Sequence, residues 1–506
     1  MRPLKTLALP LSILALALAG CGGGSSGSSG SPLESGLSYL PKDAPFVVAI
    51  DTDVDGSQFE NVGKLVDKLP LGGQAVNQLK QQIESSGGGD VSYDEDIKPL
   101  LGNPFVVGAV DAKSFTADGG TDDFVGSIQA KDGDKLADVL KKSGAKESGE
   151  QSGAKLYEDN GDHFAIKDDT LVVAGSDEQL DAALTRADGD DHLDEDTFDA
   201  NLDGLPGQAL VRTYFDVAGL LASDPDTRDA LKVKWVKALR TFGLTASATD
   251  SSVDVDFNLK TAEGDLSDED LPIAAGSDSP GIIDENGQIN VGLRDLGQLI
   301  RFAENAGQSI DPAGFGQYTQ AKDQLDKQLG ISIDDDLIAQ LTGDVSVNVT
   351  VDGSFGVRAE LKDPAAFKRT LAKIAPVLPS AAEGAGFGTV GLAKPKAGED
   401  FYALAQPDGD SVVFGVVGDV FVLANDASRA GRLATEQPAK VPGVEGALVV
   451  KADAGELVNQ LVGAFGGGLG LKGLGARLFS ESLGDLTGSI ESSTSGLKGS
   501  FSLAVK

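Results

Sequence analysis

Residues 51–56 (DTDVDG) place three carboxylates, Asp51, Asp53 and Asp55, at alternate positions before a glycine. Calcium takes about six to eight oxygen ligands, and loops that bind it often begin this way because glycine permits a sharp turn. The motif departs from an EF-hand loop, since Val62 stands where that loop needs a glutamate and a strand precedes it. Two interpretations stay open, a weak calcium site or an acidic turn that caps the next helix.

The rest of the sequence offers few residues for catalysis. Its two histidines, His163 and His192, and its single cysteine, Cys21, are too few for a zinc site with the usual nitrogen and sulfur ligands. A serine–histidine triad is formally open, but no serine is marked by its surroundings. The glycine motifs at 23–27 and 468–473 lack the strand-to-helix context that hydrolase and dinucleotide motifs need. We therefore expect no enzyme activity.

Cys21 ends a segment with the layout of a secretory signal. In residues 1–20 positive charges come first, and an apolar run and small residues follow. The apolar run covers about twelve residues, which is shorter than the roughly 20 needed to span a bilayer. Residues 18–21 (LAGC) resemble the lipobox of bacterial lipoproteins. This resemblance implies that Cys21 is acylated, for example by palmitate, and that the chain is lipid-anchored at the extracytoplasmic face of the cell membrane.

A cleaved signal followed by an unmodified cysteine is the alternative. Acylation is favoured because a free thiol is a liability in a secreted chain. Each buried methylene of an acyl chain contributes ~0.8 kcal/mol, so two or more chains give a durable anchor. Residues 22–31 consist only of glycine and serine, and such sequences behave as flexible coils.

The charge of the chain restricts its partners. The sequence has 78 acidic and 42 basic residues, which gives a net charge of -36. A field of this sign repels nucleic acid and anionic lipid surfaces. Since 41% of the residues are hydrophobic, the chain can bury substantial cores. We expect no nucleic-acid partner and a globular body.

The two halves of this body repeat the same order of predicted elements. The apolar run at 46–50 predicts a buried strand, and apolar residues at helical spacing predict the amphipathic helices after it. Strict alternation in the last strand of each half predicts one buried face, as in an antiparallel sheet. The matched segments are 46–50 with 289–293, 94–102 with 334–343, 124–132 with 355–363, 158–184 with 400–433, 208–212 with 446–450, and 253–259 with 497–503.

The repeat predicts an α+β protein of two tandem homologous modules, each a mostly antiparallel sheet packed with helices. An acidic, turn-rich stretch separates the halves. The predicted parts are a signal peptide at 1–20, a lipidated cysteine and Gly/Ser tether at 21–36, module 1 at 37–261, an acidic linker at 262–286 and module 2 at 287–506.

Three short segments carry a resemblance to a known family. They are residues 39–45 (YLPKDAP), 48–53 (VAIDTD) and 96–102 (DIKPLLG). With them the chain resembles the bacterial family known only as domain of unknown function 3352. The resemblance implies a protein of the cell envelope and assigns no chemistry.

Together these features predict a membrane-anchored lipoprotein with a non-catalytic binding or structural role in the cell envelope. The expected partners are the membrane, through the N-terminal lipid, and an unidentified protein or amphiphilic ligand. No cofactor is expected beyond the weak calcium candidate. Two alternatives come from other classes, a hydrolase of envelope material and a calcium-dependent adhesion module.

Overall fold

The structure is a computed structural model, and it describes residues 31–506 except 71, 87–89, 116–122, 160, 263, 265, 285–288, 351–352, 385–389, 396–399, 406–410 and 466–478. These residues form two compact units. The first contains the described residues as far as Arg228, with Leu239–Lys260 and Val505–Lys506, and the second contains Asp229–Ala238 and Thr261–Ala504. The predicted signal peptide, Cys21 and the glycine motifs at 23–27 and 468–473 lie outside the described residues.

The first unit is built on an antiparallel sheet. Its strands are β1 (Phe46–Ile50), β2 (Phe105–Ala109), β3 (Phe124–Gln129), β4 (Lys146–Gln151), β5 (Ala154–Asp159), β6 (Asp162–Lys167), β7 (Thr170–Ala174), β8 (Val211–Asp216), β9 (Leu239–Ala248) and β10 (Ser252–Thr261). Their order across the sheet is β10-β9-β8-β1-β2-β3-β7-β6-β5-β4. Strand β4 therefore lies at one edge.

Helices cover both faces of this sheet. They are α1 (Pro32–Leu37), α2 (Ser57–Lys68), α3 (Gly72–Ser86), α4 (Leu136–Ser143), α5 (Asp177–Ala187), α6 (Glu195–Asn201) and α7 (Val217–Ser223). Val47 on β1 belongs to an apolar cluster with α1 and α5, whereas Ile50 belongs to a second cluster with α4. Because neighbouring residues of a strand point to opposite faces, strands buried on both faces need nearly continuous apolar runs. This explains the sequences FVVAI and TLVVA.

The second unit contains ten strands among the described residues. Its strands are β11 (Ile289–Arg294), β12 (Asp344–Val349), β13 (Phe355–Glu360), β14 (Gly391–Ala393), β15 (Phe401–Ala405), β16 (Ser411–Val417), β17 (Val420–Ala424), β18 (Leu448–Asp453), β19 (Leu483–Ser493) and β20 (Gly496–Val505). The order is β20-β19-β18-β11-β12-β13-β17-β16-β15-β14. When β11–β20 are matched in turn to β1–β10, this strand order is the same as that of the first unit.

The second unit also contains α-helices. They are α8 (Lys234–Ala238), α9 (Leu296–Ile310), α10 (Pro312–Leu329), α11 (Ile333–Asp336), α12 (Pro364–Ile374), α13 (Leu378–Gly384), α14 (Ala427–Thr435) and α15 (Ala454–Phe465). Helix α14 packs in one apolar cluster with β16 and β17, and α12 packs in another with β16. No helix among the described residues combines the length and apolar character needed to cross a membrane.

The structure places parts of the predicted tether and of the predicted linker in the two units. Ser31 caps α1, and Leu33 on that helix is 4% exposed, so the end of the predicted tether is part of the first unit. Much of the predicted acidic linker at 262–286 is packed in the second unit, where Leu271 and Ile283 are at most 1% exposed.

Candidate functional site

A cavity of about 420 Å³ lies in the second unit, beside the central strand β18. Two chain segments, 282–284 and 436–442, form one side of it, and β18 and β19 form the other. Ile282 and Ala439 hold the two segments together, since each main-chain amide donates to the carbonyl of the other at 2.9 Å. The lining residues are Ile282, Ile283, Asp284, Glu436, Gln437, Ala439, Lys440, Val441, Pro442, Lys451, Asp485 and Thr487.

Lys451 is one of the charged residues that line this cavity. It pairs across the sheet with Asn290 on β11 and with Thr487 on β19, and directly paired residues point to the same face. The Lys451 ammonium contacts the Asp284 carboxylate, and it lies 3.6 Å from the Asp485 carboxylate. The hydrogen bond with Asp284 raises the pKa of Lys451. At neutral pH Lys451 is therefore a protonated hydrogen-bond donor rather than a nucleophile.

A buried chain of amides fixes Asp284. The Asn290 side-chain amide donates to Asp284 Oδ1 at 3.2 Å, and the Asn348 amide donates to Asn290 Oδ1 at 2.7 Å. Asn348 also donates to the Ile283 carbonyl at 2.6 Å. Asn290 is 1% exposed and Asn348 is 0% exposed. Buried amides are stable only when hydrogen-bonded, so this chain holds the segment at 282–284 in one orientation against the sheet.

The Asp51, Asp53 and Asp55 loop follows β1 in the first unit. Asp51 Oδ1 accepts from the Asp53 amide at 2.9 Å, and Asp53 Oδ1 accepts from the Asp55 amide at 3.4 Å. Burial raises the pKa of Asp51. Within the part of the chain that the structure describes, no group of at least three His, Cys, Asp or Glu side chains is placed to hold a metal ion. The calcium site at Asp51, Asp53 and Asp55 remains a prediction from the sequence.

The histidines occupy separate places. His163 Nδ1 lies 2.6 Å from Asp177 Oδ1, and His192 Nδ1 lies 2.9 Å from the Gly189 carbonyl. Among the described residues, no serine hydroxyl hydrogen-bonds to either ring. The first histidine has a carboxylate that could orient it, but the nucleophile of a triad is missing from the described contacts.

The residues around the cavity were not identified from the sequence. Lys451, Asp284 and Asp485 are far apart along the chain and form no motif. A weak signal was present, since Asn290 lies among apolar residues of β11, and Asn348 lies on β12 at a buried position. Buried polar residues within a strand are unusual and often belong to a site.

Comparisons with known proteins give a family and little more. The family model described as "Protein of unknown function (DUF3352)" matches residues 7–378. No curated protein matches the sequence.

Some solved structures have weak similarity to the chain. Crystal form I of TP0453 is 11% identical, with a TM-score of 0.27, and the match covers 46% of this chain and 80% of that one. Crystal form III is 8% identical with a TM-score of 0.25, covering 46% and 82%. Similarity at this level carries no argument about fold or function.

Proposed function

The chain belongs to the DUF3352 family, whose function is unknown, and from this premise we propose that it is a lipid-anchored protein that binds an amphiphilic ligand. The proposal places it at the extracytoplasmic face of the cell membrane, in a non-catalytic role. The observation that carries it is the cavity of the second unit, which is lined both by the charged Lys451 and by apolar residues.

The size and lining of the cavity support a small ligand. Its volume of about 420 Å³ falls within the about 300–1,000 Å³ common for small-molecule sites. Ile282, Val441 and Pro442 contribute apolar lining, whereas Lys451, Asp485 and Thr487 contribute polar groups. A lysine ammonium has three N–H donors, and Lys451 has two carboxylate partners. Its third donor suits the polar end of an amphiphile.

The charge state of Lys451 supports binding over hydrolysis. A hydrolase needs a nucleophile activated by a base or by a lowered pKa. The pKa of Lys451 is raised instead, chiefly by the hydrogen bond with Asp284. The protonated amine can position a ligand by charge and hydrogen bonding, but it has no lone pair with which to attack.

The sequence supports the anchor. Residues 18–21 (LAGC) match the lipobox pattern, and a glycine and serine tether follows Cys21. Acylation would hold the chain at the membrane, close to a supply of amphiphilic molecules. The predicted membrane location would therefore bring the cavity of the second unit close to amphiphilic ligands.

An internal duplication also forms part of the proposal. The shared order of ten strands in each unit supports it. Matching helix caps support it further, because Asp216 and Asp453 are the last residues of corresponding strands, and each side chain accepts from the main-chain amide three residues on. We propose that a single ancestral module was duplicated and that the cavity developed in the second copy.

The test is binding of a defined amphiphile to residues 31–506, which contain both compact units. The probe is lysophosphatidylethanolamine below its critical micelle concentration, measured by native mass spectrometry and by titration. Replacing Lys451 by Met should weaken binding at least about tenfold, because the donor at the polar end is lost. Lys440→Met is the matched control, since this lysine also lines the cavity but its side chain is 64% exposed, and binding should change less than about twofold.

A chain purified from bacterial envelopes should also carry a co-purifying mass in the lipid range. A bare polypeptide mass, together with no binding of the probe, would contradict the proposal. Equal weakening by Lys451→Met and Lys440→Met would show that general charge, rather than the cavity, attracts the probe.

A further inference from the structure

Strand β4 is the free edge of the first sheet. Among the described strands it pairs only with β5, and all six residues of Lys146–Gln151 are exposed. An edge strand presents main-chain N–H and C=O groups that another strand can pair with. No described group hydrogen-bonds to the outer side of its backbone. The edge is therefore available for the addition of an extended segment.

A groove with negative charge runs beside this edge. A cavity of about 430 Å³ lies between the β4–β5 hairpin and α5. Four carboxylates line it, Glu158 on β5 and Asp177, Glu178 and Asp181 on α5. Asp177 contacts His163 and Asp181 contacts Gln151. Glu158 and Glu178 form no ion pair within the described part of the chain.

The bottom of the groove is apolar. Leu156, Leu180 and Leu184 line the same cavity as the carboxylates, and Leu180 and Leu184 are at most 3% exposed. A leucine surface below carboxylates fits a side chain with an aliphatic stem and a cationic head. Lysine and arginine have this structure, because their methylene stems lie on apolar surface while the charged group stays in water.

We propose that β4 is a docking edge for an extended, basic peptide segment of another protein. The segment adds to β4 as a further strand, and its main-chain groups pair with the free edge. Alternate side chains of a strand point to the same face, about 6.6 Å apart. Lysine or arginine at every second position of the segment therefore reaches the groove, where Glu158 and Glu178 accept the cationic heads.

The charges of the chain select this occupant over a second copy of the same chain. Strand β4 itself carries Glu147 and Glu150, and these would meet the acidic groove of a partner copy. The chain as a whole carries a net charge of -36, which opposes self-association and accelerates the encounter with basic segments. Lys146 lies opposite Glu158 in the hairpin but forms no ion pair with it among the described contacts.

The experiment uses the full chain in neutral detergent and the labelled peptide TKTKTKT, with blocked ends. Fluorescence anisotropy should detect binding that weakens as salt is raised. The double variant Glu158→Gln with Glu178→Gln should bind at least about tenfold more weakly. The control Asp67→Asn with Asp190→Asn removes two exposed charges elsewhere in the first unit and should change the affinity less than about twofold.

A second peptide separates strand addition from simple charge attraction. It has the same sequence with N-methyl groups at alternate residues, so it keeps its charge but cannot pair along β4. Loss of binding by this peptide is expected. Equal binding of the two peptides, or equal effects of the two double variants, would overturn the proposal. A further result would also overturn the proposal, namely sedimentation of the chain as a dimer that the TKTKTKT peptide dissociates into monomers. The edge would then be occupied by a second copy of the chain.

Discussion

Asn290 and Asn348 show how single residues distinguish the two units. Asn290 is the second residue of β11, and the second residue of β1 is Val47, which lies in an apolar core. Each buried amide costs ~1–3 kcal/mol where its hydrogen bonds are incomplete. Asn348 Oδ1 has no partner among the described atoms, so these amides carry a cost that the apolar Val47 does not. In return the amides orient Asp284 toward Lys451.

Asp162 gives a prediction at the scale of one residue. Burial raises its pKa to about 6, the Asp159 charge adds to the rise, and His163 opposes it. Asp162 Oδ1 is buried without a hydrogen-bond partner among the described atoms. Because the folded pKa lies above the unfolded value of about 3.9, the folded state loses stability as pH rises from about 4 through 6.

Asp162→Asn keeps the shape and removes the charge. The melting temperature should exceed that of the parent by about 1–2 °C at pH 7.5, and the two should be equal near pH 4. A change of 1 kcal/mol shifts the midpoint by ~2–4 °C in domains of this size, and solvent screening reduces the gain. Asp190→Asn, at an exposed acid, should show no such difference. An equal increase in melting temperature at pH 7.5 and pH 4 would contradict the raised pKa of Asp162.

Three consecutive helices of the second unit are joined through one lysine. The Lys322 ammonium on α10 lies 3.0 Å from Glu304 on α9 and also contacts Asp334 on α11. The Tyr318 hydroxyl donates to Glu304 at 2.8 Å. Burial lowers the pKa of Lys322, but the hydrogen bonds with Asp334 and Glu304 outweigh it, and the net shift is upward. Since α10 has no fully buried residue, this cluster is central to its attachment.

Replacement of Lys322 by Met should therefore loosen α10. The Lys322 side chain is 12% exposed and that of Glu304 is 20% exposed, so the loss of one partner leaves a poorly solvated carboxylate. We expect a loss of about 1–3 kcal/mol in local stability, seen as faster amide hydrogen exchange in α10. The strands β11 and β18 should exchange as before.

Lys327→Met on the same helix is the control, because this lysine is exposed. Its exchange pattern should match that of the parent. Equal acceleration in both variants would show that loss of any lysine charge, rather than the cluster, loosens the helix.

At the scale of elements, sequence periodicity predicted the central strands of the sheet but not its edge strand β4. The central strands are continuous apolar runs, and the last strand of each half alternates. Strand β4 was missed because Lys146–Gln151 contains no apolar residue. It becomes a strand because β5 offers hydrogen-bonding groups along it, with a register shift between Glu147 and Gly149, and because a turn with positive φ at Ser152 and Gly153 connects the two. Such pairing depends on a neighbour and leaves no hydrophobic pattern.

At the scale of the whole molecule, the chain combines a predicted lipid anchor with a strongly acidic body. The net charge of -36 repels anionic lipid surfaces. In our proposal, attachment to a membrane comes from the acyl chains rather than from electrostatic attraction. We therefore expect the membrane association of the chain to depend on one residue, Cys21.

Cys21→Ser should release the chain from the membrane. In a bacterial host the parent should sediment with membranes, and mass spectrometry of its N-terminal peptide should show added acyl groups on Cys21. The variant should lack these groups and leave the membrane fraction, because no thiol is present to be acylated. Gly23→Ser, in the tether, should behave like the parent. Sedimentation of the Cys21→Ser chain with membranes to the same extent would contradict lipid anchoring.

The sequence alone determined the features that depend on neighbouring residues. Apolar runs and alternation identified the strands, their repeated order indicated the internal similarity, and residues 18–21 identified the predicted anchor. The tertiary structure decided which distant residues meet. Lys451, Asp284 and Asp485 come together because antiparallel pairing and the folded segment at 282–284 set their positions, and such register depends on the packing of the whole sheet. Contacts between residues far apart in the chain leave no local pattern, so only the folded unit reveals the cavity.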